Sequence, residues 1–389
     1  AIILVWGKYG ASFAKSEFIR SILMKKALKI TGRILLLLLI LLLLFTLITF
    51  IIHRVKTNQE TALLKEKGCY NPVSVGDYSL NVAAFGNENG SHTIVSLAGL
   101  GMGDYSVAER QMTATLENDN RIVFIDRAGY GFSDDTDHEM TTEYIVDDYR
   151  KALQSAGIEA PYILMAHSIG GAYANYWSSM YPDEIEAVVF VDGSQLDEHA
   201  FDDRETGTVG LDDHVLAFLA KLGFSRYVLR EYAFLKPDNY SDEEQYLCDA
   251  LNLMTMDSIA VESESCLLAQ NGQAAWNGIV TNDIPKLYIC ASWGFQTKEE
   301  LRDFLVWFRA LQEKNHFDRN AHGSTDISDE KLQQQVEQAE QLRQEIIYPY
   351  AEKMGNCEVV LLGGDHCIYE QKPGECGEII KEFIDGLDS

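Results

Sequence analysis

From residue 73 onward, short apolar runs alternate with longer segments whose apolar residues recur at helical spacing. Seven of the short runs have the length and the β-branched content of strands: "YSLNVAAFG", "HTIVSLAG", "RIVFIDRAG", "YILMAHS", "AVVFVDG", "PKLYICAS" and "CEVVLLGG". Strands that alternate with helices favour a mostly parallel sheet with helices on both faces and right-handed crossovers. The pattern therefore predicts an α/β domain over residues 73–389 with a doubly wound sheet.

The alternation is interrupted in two places. Residues from about 195 to 283 are helical in character, with segments such as "VLAFLAKLGFSRYVL", and they separate two predicted strands. We interpret this interval as a helical lid inserted into the main domain. The second interval, residues 296–350, contains the Gln- and Glu-rich stretch "DEKLQQQVEQAEQLRQEII". Its spacing predicts a solvated helix that covers the sheet.

The stretch "ILLLLLILLLLFTLITFII", residues 34–52, contains nineteen consecutive residues without a charge. A helix of that length spans the hydrocarbon core of a bilayer. More basic residues precede the run than follow it, which predicts a single-pass anchor in the cell membrane with the α/β domain on the extracytoplasmic side. The length of the run, and the absence of an A-x-A-like site after it, argue against a cleaved signal peptide.

The predicted membrane helix divides the N-terminal region into two parts. Residues 1–33 form a basic segment, and residues 53–72 form a linker to the α/β domain. The chain starts with Ala1, whereas Met24 opens "MKKALKITGR", which is typical of the start of a membrane-targeted protein. We therefore interpret residues 1–23 as an upstream extension without a functional role.

The charge balance changes at the same place. Of the 32 Lys/Arg and 59 Asp/Glu residues in the chain, residues 1–67 hold 11 and 3, and residues 68–389 hold 21 and 56. A body as acidic as this one repels phosphate backbones. The composition therefore argues against nucleic acid as a partner.

The seven cysteines include no CxxC pair, so the spacing of a zinc site is absent. The acidic stretch "SDDTDHE" lacks the glycine and the terminal glutamate of an ordered calcium loop. We expect neither a metal nor a cofactor. An exported body permits disulfides, and proximity in sequence favours Cys248 and Cys266 as a pair.

Ser168, in "YILMAHSIGGAYANYW", is the candidate nucleophile. It follows a predicted strand and precedes small residues that can open a helix. A tight strand-to-helix turn that exposes a serine hydroxyl requires small residues two positions before and two positions after it, and Ala166 and Gly170 meet this requirement. A serine in such a turn can also be a simple helix cap, so the surrounding motifs carry the argument.

His366 is the candidate general base. A serine hydroxyl needs a base within hydrogen-bond reach, and the base needs a third group that orients it. His366 lies in "VVLLGGDHCIYEQKP", in a loop after the last predicted strand, and the carboxyl ends of strands are where open α/β sheets gather their ligands. His167 is adjacent to Ser168, but we expect it to pack beside the site.

Four motifs together resemble the α/β-hydrolase family. "LAGLGMG" is similar to its oxyanion loop, "DRAGYGFSD" to the glycine-rich turn after the next strand, "AHSIGG" to its nucleophile elbow, and "GGDHCIYEQKP" to its histidine loop. The resemblance covers residues 73 to 387 and implies a Ser, acid, His order of catalytic residues. By the family pattern Asp126 is structural. Ala98 stands where many members carry a histidine that braces the oxyanion loop.

The position of the catalytic acid departs from the common family pattern. After the penultimate strand, "LYICASWGFQTKEE" offers no carboxylate before Glu299. One strand earlier, "VVFVDGSQLD" places Asp192 at a strand end, a position that some members of the family use. An Asp there can also simply cap the chain as it leaves the sheet. We favour Asp192 as the acid and keep Asp303 and Glu299 as alternatives.

The resemblance implies acyl transfer. His366 takes the proton from Ser168, Asp192 holds the imidazole, and the backbone N–H groups of Leu100 and Ile169 receive the oxyanion. The expected enzyme is a membrane-anchored serine hydrolase that cleaves a small or medium apolar ester. A peptidase, an amidase, a C–C hydrolase and a non-catalytic binding protein of the same fold are alternatives. Epoxide hydrolases and dehalogenases of this fold are disfavoured because they use aspartate where Ser168 stands.

Overall fold

A computed structural model describes residues 2–200, 206–228, 237–256, 258–314 and 327–387. In this part of the chain, eight strands form one sheet: β1 (Pro72–Ser74), β2 (Ser79–Gly86), β3 (Thr93–Leu97), β4 (Arg121–Ile125), β5 (Tyr162–Ser168), β6 (Ile185–Gly193), β7 (Lys286–Cys290) and β8 (Cys357–Leu361). The strand order is β1-β2-β4-β3-β5-β6-β7-β8. The pairs β1/β2 and β2/β4 are antiparallel, and every other pair is parallel. The predicted, mostly parallel sheet is confirmed.

The helices of the described residues precede the sheet, cover it, or fill the two intervals that interrupt it. They are α1 (Ile2–Glu66), α2 (Tyr105–Ala108), α3 (Arg110–Thr113), α4 (Thr142–Ser155), α5 (Gly170–Met180), α6 (Leu211–Lys221), α7 (Ser225–Val228), α8 (Asp242–Thr255), α9 (Ile259–Cys266), α10 (Leu268–Asn277), α11 (Lys298–Lys314), α12 (Asp329–Leu342), α13 (Tyr348–Met354), α14 (Ile368–Gln371) and α15 (Pro373–Asp385). A 3₁₀ turn at Pro182–Glu184 and a π-helical turn at Arg343–Ile347 complete them.

The sheet is buried on both faces, as expected for parallel strands that read as continuous apolar runs. One face packs on α4 and α5, whose Tyr149 and Trp177 are fully buried. The other packs on α2, α3, α14 and α15, with Met112 and Ile380 fully buried. The central strand β5 is buried along its whole length except at Ser168. The doubly wound arrangement is therefore confirmed, and it places the carboxyl ends of β5 and β6 side by side.

Two helical intervals lie where the sequence predicts them. The interval between β6 and β7 contains α6 to α10, and the interval between β7 and β8 contains α11 to α13. In the second one, α12 buries Leu332 and Val336 against Phe295 and Leu301. The predicted helix therefore packs on α11 in a small separate core instead of directly on the sheet.

The N-terminal helix α1 is continuous from Ile2 to Glu66, a length of about 100 Å. Its segment Leu23–Glu66 is long and apolar enough to cross a membrane. The range 53–72, predicted as a linker, is helical as far as Glu66 because one stripe of α1 packs on the insertion, with Glu60 and Leu64 buried. The helix ends at Glu66, and Gly68, two residues later, has a φ of 74°, the left-handed conformation that glycine adopts after a helix.

No disulfide bond forms among the cysteines of the described residues. The predicted Cys248–Cys266 pair is therefore wrong. Cys248 is buried within α8. Cys266 ends α9, where its thiol lies 3.6 Å from the carboxylate of Glu262. The two helices direct these side chains to different surroundings, although only 18 positions separate them in the sequence.

Candidate active site

Ser168 lies at the sharp turn between β5 and α5. Its φ of 53° is left-handed, which is unusual for a residue with a side chain and is the conformation of a strained elbow. A Cβ added to Gly170 would lie 2.4 Å from the carbonyl oxygen of Leu97, so the turn excludes larger residues there. The Ser168 carbonyl accepts a hydrogen bond of 2.8 Å from the N–H of Ser194, which ties the turn to the end of β6.

Asp192 and His366 are in direct contact. Asp192 is the penultimate residue of β6, beside the elbow, and His366 lies in the loop after β8. The Nδ1 of His366 is 2.7 Å from the Oδ2 of Asp192. The Asp192 side chain is fully buried, whereas that of His366 is 47% exposed. The hydrogen bond at Nδ1 leaves Nε2 of the imidazole available for a substrate or a nucleophile.

The end of β7 holds the carboxylate of Asp192. Its Oδ1 accepts hydrogen bonds from the N–H groups of Ala291 and Ser292, at 2.8 and 3.1 Å, and its Oδ2 accepts one from the Ser292 hydroxyl at 2.5 Å. A buried carboxylate requires such donors because it has lost its water. The segment after β7, which lacks a carboxylate of its own, therefore supplies the donors that hold the Asp192 carboxylate in place.

The alternative acids lie elsewhere. Both Glu299 and Asp303 are on α11, which starts eight residues after β7 ends. The Glu299 side chain is 63% exposed and pairs with Lys298 at 4.0 Å, and Asp303 is exposed. The structure thus brings Asp192 to His366 and leaves both alternatives on a solvated helix.

Asp192 also changes the acid–base behaviour of His366. Burial lowers the pKa of the imidazole, but the hydrogen bond and negative charge of Asp192, together with the charge of Asp365, outweigh it. The net effect raises the pKa of His366 above its usual 6.5. An imidazole with a raised pKa binds a proton more strongly, which favours its action as a general base towards a serine hydroxyl.

His167 packs behind the site, as the sequence analysis expects. Its Nε2 donates a hydrogen bond of 3.0 Å to the backbone carbonyl of His366, and the two ring centroids are 4.6 Å apart. Its ring also stacks on Tyr105 and meets the edge of Tyr369. Burial lowers the pKa of His167 to about 3, so its ring is neutral. The ring holds the His366 backbone in place by donating a hydrogen bond to its carbonyl.

The loop after β3 approaches the elbow closely. A Cβ on Gly99 would lie 3.1 Å from the Cβ of Ser168 and 2.8 Å from the Nδ1 of His167, so only glycine allows this approach. One residue beyond Leu100, the N–H of Gly101 donates to the hydroxyl of Tyr130 at 2.9 Å. The predicted oxyanion donors, the N–H groups of Leu100 and Ile169, therefore belong to two segments that meet at Ser168.

A buried ion pair that the sequence analysis missed braces this loop. Arg127, which follows β4, donates to the carbonyls of Ala98 and Gly99 at 2.6 and 2.8 Å. It also pairs with Glu264 of α9 at 3.2 Å, and the two side chains are only 1% and 0% exposed. Arg127 therefore braces the loop in which Ala98 stands where many members of the resembled family carry a histidine.

Glu264 has further partners in the core. Its carboxylate accepts hydrogen bonds from the hydroxyls of Tyr130 and Tyr173, both at 2.7 Å. Arg127 also contacts the hydroxyl of Tyr149 at 3.1 Å. The network joins the loops after β3 and β4, the helices α4 and α5, and the insertion. The only sequence signal for it is a carboxylate among the buried positions of α9.

Asp126 lies beside this network but outside the contact between Asp192 and His366. Its Oδ2 accepts a hydrogen bond of 2.9 Å from Asn81 of β2. Burial raises the pKa of Asp126 to about 7. The contact ties β2 to the turn after β4, in keeping with a structural residue.

Two features of the site concern its chemistry directly. The side chains of Ser168 and His366 do not form a hydrogen bond in the described part of the chain. Catalytic hydrogen bonds often shorten only when substrate is bound, so a longer distance between Ser168 and His366 leaves both residues as candidates.

The described residues also contain no cluster of three His, Cys, Asp or Glu side chains that could hold a metal ion.

Comparison with known proteins agrees with the fold. Residues 93–218, from β3 to the insertion, match the family described as alpha/beta hydrolase fold. The chain is 30% identical to the uncharacterized protein YbdG of Bacillus subtilis (strain 168) over 245 residues, which are 62% of this chain and 74% of YbdG.

Solved structures share the architecture at low identity. The epoxide hydrolase CorEH is 14% identical with a TM-score of 0.53, and the alignment covers 82% of this chain and 99% of CorEH. The haloalkane dehalogenase DbeA from Bradyrhizobium elkani USDA94 is 14% identical with a TM-score of 0.51, over 82% of this chain and 98% of DbeA. At this identity the likeness concerns the fold alone.

Proposed function

This chain belongs to the α/β-hydrolase fold family, and from that membership we propose that it is a serine hydrolase that cleaves an apolar ester of small or medium size. The observation that carries the proposal is the hydrogen bond of 2.7 Å between His366 and Asp192, next to a serine in an elbow with a left-handed φ of 53°. A serine nucleophile, a histidine base and a carboxylate that orients the base are the parts that acyl transfer requires.

In the proposed reaction, Ser168 Oγ attacks the ester carbonyl and His366 Nε2 takes its proton. The Nδ1–H of His366 donates to Asp192, whose negative charge stabilises the imidazolium that forms. His366 then gives the proton to the departing alcohol, which leaves an acyl group on Ser168. A water molecule, deprotonated by His366, releases the acid and restores the serine.

The oxyanion of each tetrahedral intermediate is received by the N–H groups of Leu100 and Ile169. In a trans peptide the carbonyl of one residue and the N–H of the next point in opposite directions. Arg127 holds the Gly99 carbonyl, so the Leu100 N–H is directed away from the guanidinium. Such preorganised donors are a large part of catalysis, and losing one typically costs about 100- to 1,000-fold in kcat.

The proposed enzyme is anchored in the cell membrane through residues 34–52, with the catalytic domain on the extracytoplasmic side. The apolar side chains of this run are exposed in the folded protein, as they are in a helix that faces lipid. The stronger basic flank, which includes Lys25, Lys26, Lys29 and Arg33, supports a cytoplasmic N-terminus.

A fluorophosphonate probe tests the nucleophile. The probe should label the full-length protein on the peptide that contains Ser168, and Ser168→Ala should abolish both labelling and ester hydrolysis. As a control, Ser155→Ala on the exposed end of α4 should retain both. A folded protein that hydrolyses esters but is not labelled at Ser168 would exclude the proposed mechanism. A folded protein that does neither would favour a binding protein.

A further inference from the structure

The turn after α6 and the helix α7 pack on α1 inside its apolar run. The ring of Phe45 lies 6.0 Å from the rings of both Phe224 and Tyr227. The hydroxyls of Thr49 and Tyr227 are 3.5 Å apart, and Thr49 is buried. Since Phe45 precedes the end of the run at Ile52 by seven residues, this contact lies about 10 Å inside the apolar stretch of α1.

A buried ion pair fixes this arrangement just beyond the apolar run. Arg226 of α7 donates to both carboxylate oxygens of Glu60, at 2.8 and 2.7 Å, and to the Nδ1 of His53 at 3.0 Å. The side chain of Glu60 is 1% exposed and that of Arg226 is 12% exposed. A bidentate pair of this kind sets orientation as well as attachment. The depth of α7 relative to the apolar run is therefore defined.

The neighbouring helix α6 presents an apolar face that is largely exposed within the described part of the chain. Leu211, Val215 and Phe218 recur at the i, i+4, i+7 spacing of one helical face and are 81%, 50% and 61% exposed. Tyr227 of α7 is 54% exposed beside the apolar run. Exposed apolar side chains in one contiguous group mark a surface that another apolar phase covers.

Two cavities run beneath these helices toward the candidate active site. The first is lined by His53 of α1, Ala217 and Ala220 of α6, and Met256. The second, of about 210 Å³, shares Met256 and reaches Leu216 of α6 and Gly101, the residue after Leu100. Together the two cavities extend from the side of the insertion that faces α1 to the loop beside Ser168.

We propose that the exposed face of α6 and α7, formed by Leu211, Val215, Phe218 and Tyr227, docks into the bilayer that α1 spans, and that the cavities beneath it admit an ester dissolved in that bilayer. The inference rests on the proposed function for its substrate. Its occupant is a zwitterionic phospholipid surface, because residues 68–389 carry 56 acidic and 21 basic residues and an anionic surface would repel them. Three residues connect α6 to α7, and Phe224 and Tyr227 contact Phe45 of the apolar run, so one bilayer can cover both the run and this face.

A fluorescence experiment tests the docking without any need for activity. The full-length protein is placed in phosphatidylcholine nanodiscs whose acyl chains carry bromine, a quencher of tryptophan. The emission that Phe218→Trp adds to the parent protein should be quenched at least about twofold more than that added by Val306→Trp, an equally exposed position on α11 at 58%. Equal quenching at the two positions would overturn the docking.

Hydrolysis tests the route of the substrate. In phosphatidylcholine nanodiscs, the double variant Leu211→Ser/Val215→Ser should hydrolyse p-nitrophenyl decanoate, which partitions into the bilayer, at least about fivefold more slowly than the parent. Its hydrolysis of water-soluble p-nitrophenyl acetate should be unchanged. An unchanged rate on both esters, or an equal loss on both, would overturn this inference. Failure of the parent to hydrolyse either ester would instead overturn the proposed function, while the quenching result would stand.

Discussion

Two fully buried carboxylates, Asp192 and Glu264, are held in different ways. Asp192 receives neutral donors from the end of β7 and one hydrogen bond from the titratable ring of His366. Glu264 pairs with the guanidinium of Arg127, which stays charged at every accessible pH, and with two tyrosine hydroxyls. One carboxylate lies on the sheet and the other on the inserted helix α9.

The difference separates catalysis from architecture. The carboxylate of Asp192 has a positive partner only when His366 becomes protonated. It therefore stabilises the transition state of acyl transfer more than the ground state. The charge of Glu264 is matched at all times, so it stabilises the ground state and keeps the insertion and the loop after β3 in place. Substitution of Asp192 should lower the catalytic rate, and substitution of Glu264 should lower the free energy of unfolding.

The largest effect is expected for Asp192→Asn. Asparagine keeps the shape of the side chain but allows the wrong imidazole tautomer, so kcat should fall by about 10⁴-fold while the thermal midpoint changes little. The control is Glu299→Gln, which alters an exposed carboxylate on α11 and should leave kcat unchanged. Steady-state kinetics and thermal unfolding measure both quantities. Near-normal turnover in Asp192→Asn would move the role of the acid elsewhere.

A large loss of stability is expected for Glu264→Ala. The change leaves the guanidinium of Arg127 buried without its counter-charge, which typically costs about 3–5 kcal/mol in the free energy of unfolding. Glu262→Ala, two residues earlier on α9 and partly exposed, should cost less than about 1 kcal/mol. Urea unfolding of the catalytic domain in the detergent-solubilised chain measures the difference. Equal costs for the two variants would show that the buried network does not hold the insertion.

A smaller effect is expected for His167→Phe, which keeps a ring beside Tyr105 but removes the hydrogen bond to the His366 carbonyl. A lost hydrogen bond of this kind is worth about 1 kcal/mol, so kcat should fall by roughly five- to tenfold. Because His167 acts through the position of His366, KM for a short ester should change less than kcat. A change confined to KM would contradict this positioning role.

The smallest effect is expected for Asp365→Asn. Protonation of His366 abolishes its action as a base, so the rate should fall as the pH drops through the raised pKa of His366. Removing the negative charge of Asp365 makes the imidazolium less stable and lowers that pKa. The acidic limb of kcat/KM should therefore move to lower pH, by less than about one unit. A shift to higher pH would contradict the electrostatic account.

The sheet and the positions of Ser168, Asp192 and His366 could be predicted because they depend on local patterns. A buried parallel strand is a continuous apolar run, and the residue that follows it lies at a known edge of the sheet. Three such runs, β5, β6 and β8, place these residues at the same edge of the sheet. The order of the motifs along the chain then predicts which of the three residues is the nucleophile, the acid and the base.

The Arg127–Glu264 pair could not be predicted in the same way. The two residues are 137 positions apart, and the path of the insertion over the sheet follows from packing that no periodicity encodes. The stripe of α1 that contains Thr49 and Glu60 was missed for a related reason. A uniformly apolar run does not distinguish a side chain that faces lipid from one that contacts α7.

The central claim is that Ser168 carries the acyl group during turnover. The most direct measurement is a reaction with p-nitrophenyl acetate that is quenched in acid within the first turnover, followed by peptide mass mapping. Our account predicts an added acetyl mass on the peptide that contains Ser168, accompanied by a burst of p-nitrophenol equal to the amount of enzyme. Turnover without an adduct on Ser168, or with an adduct on Asp192, would contradict it.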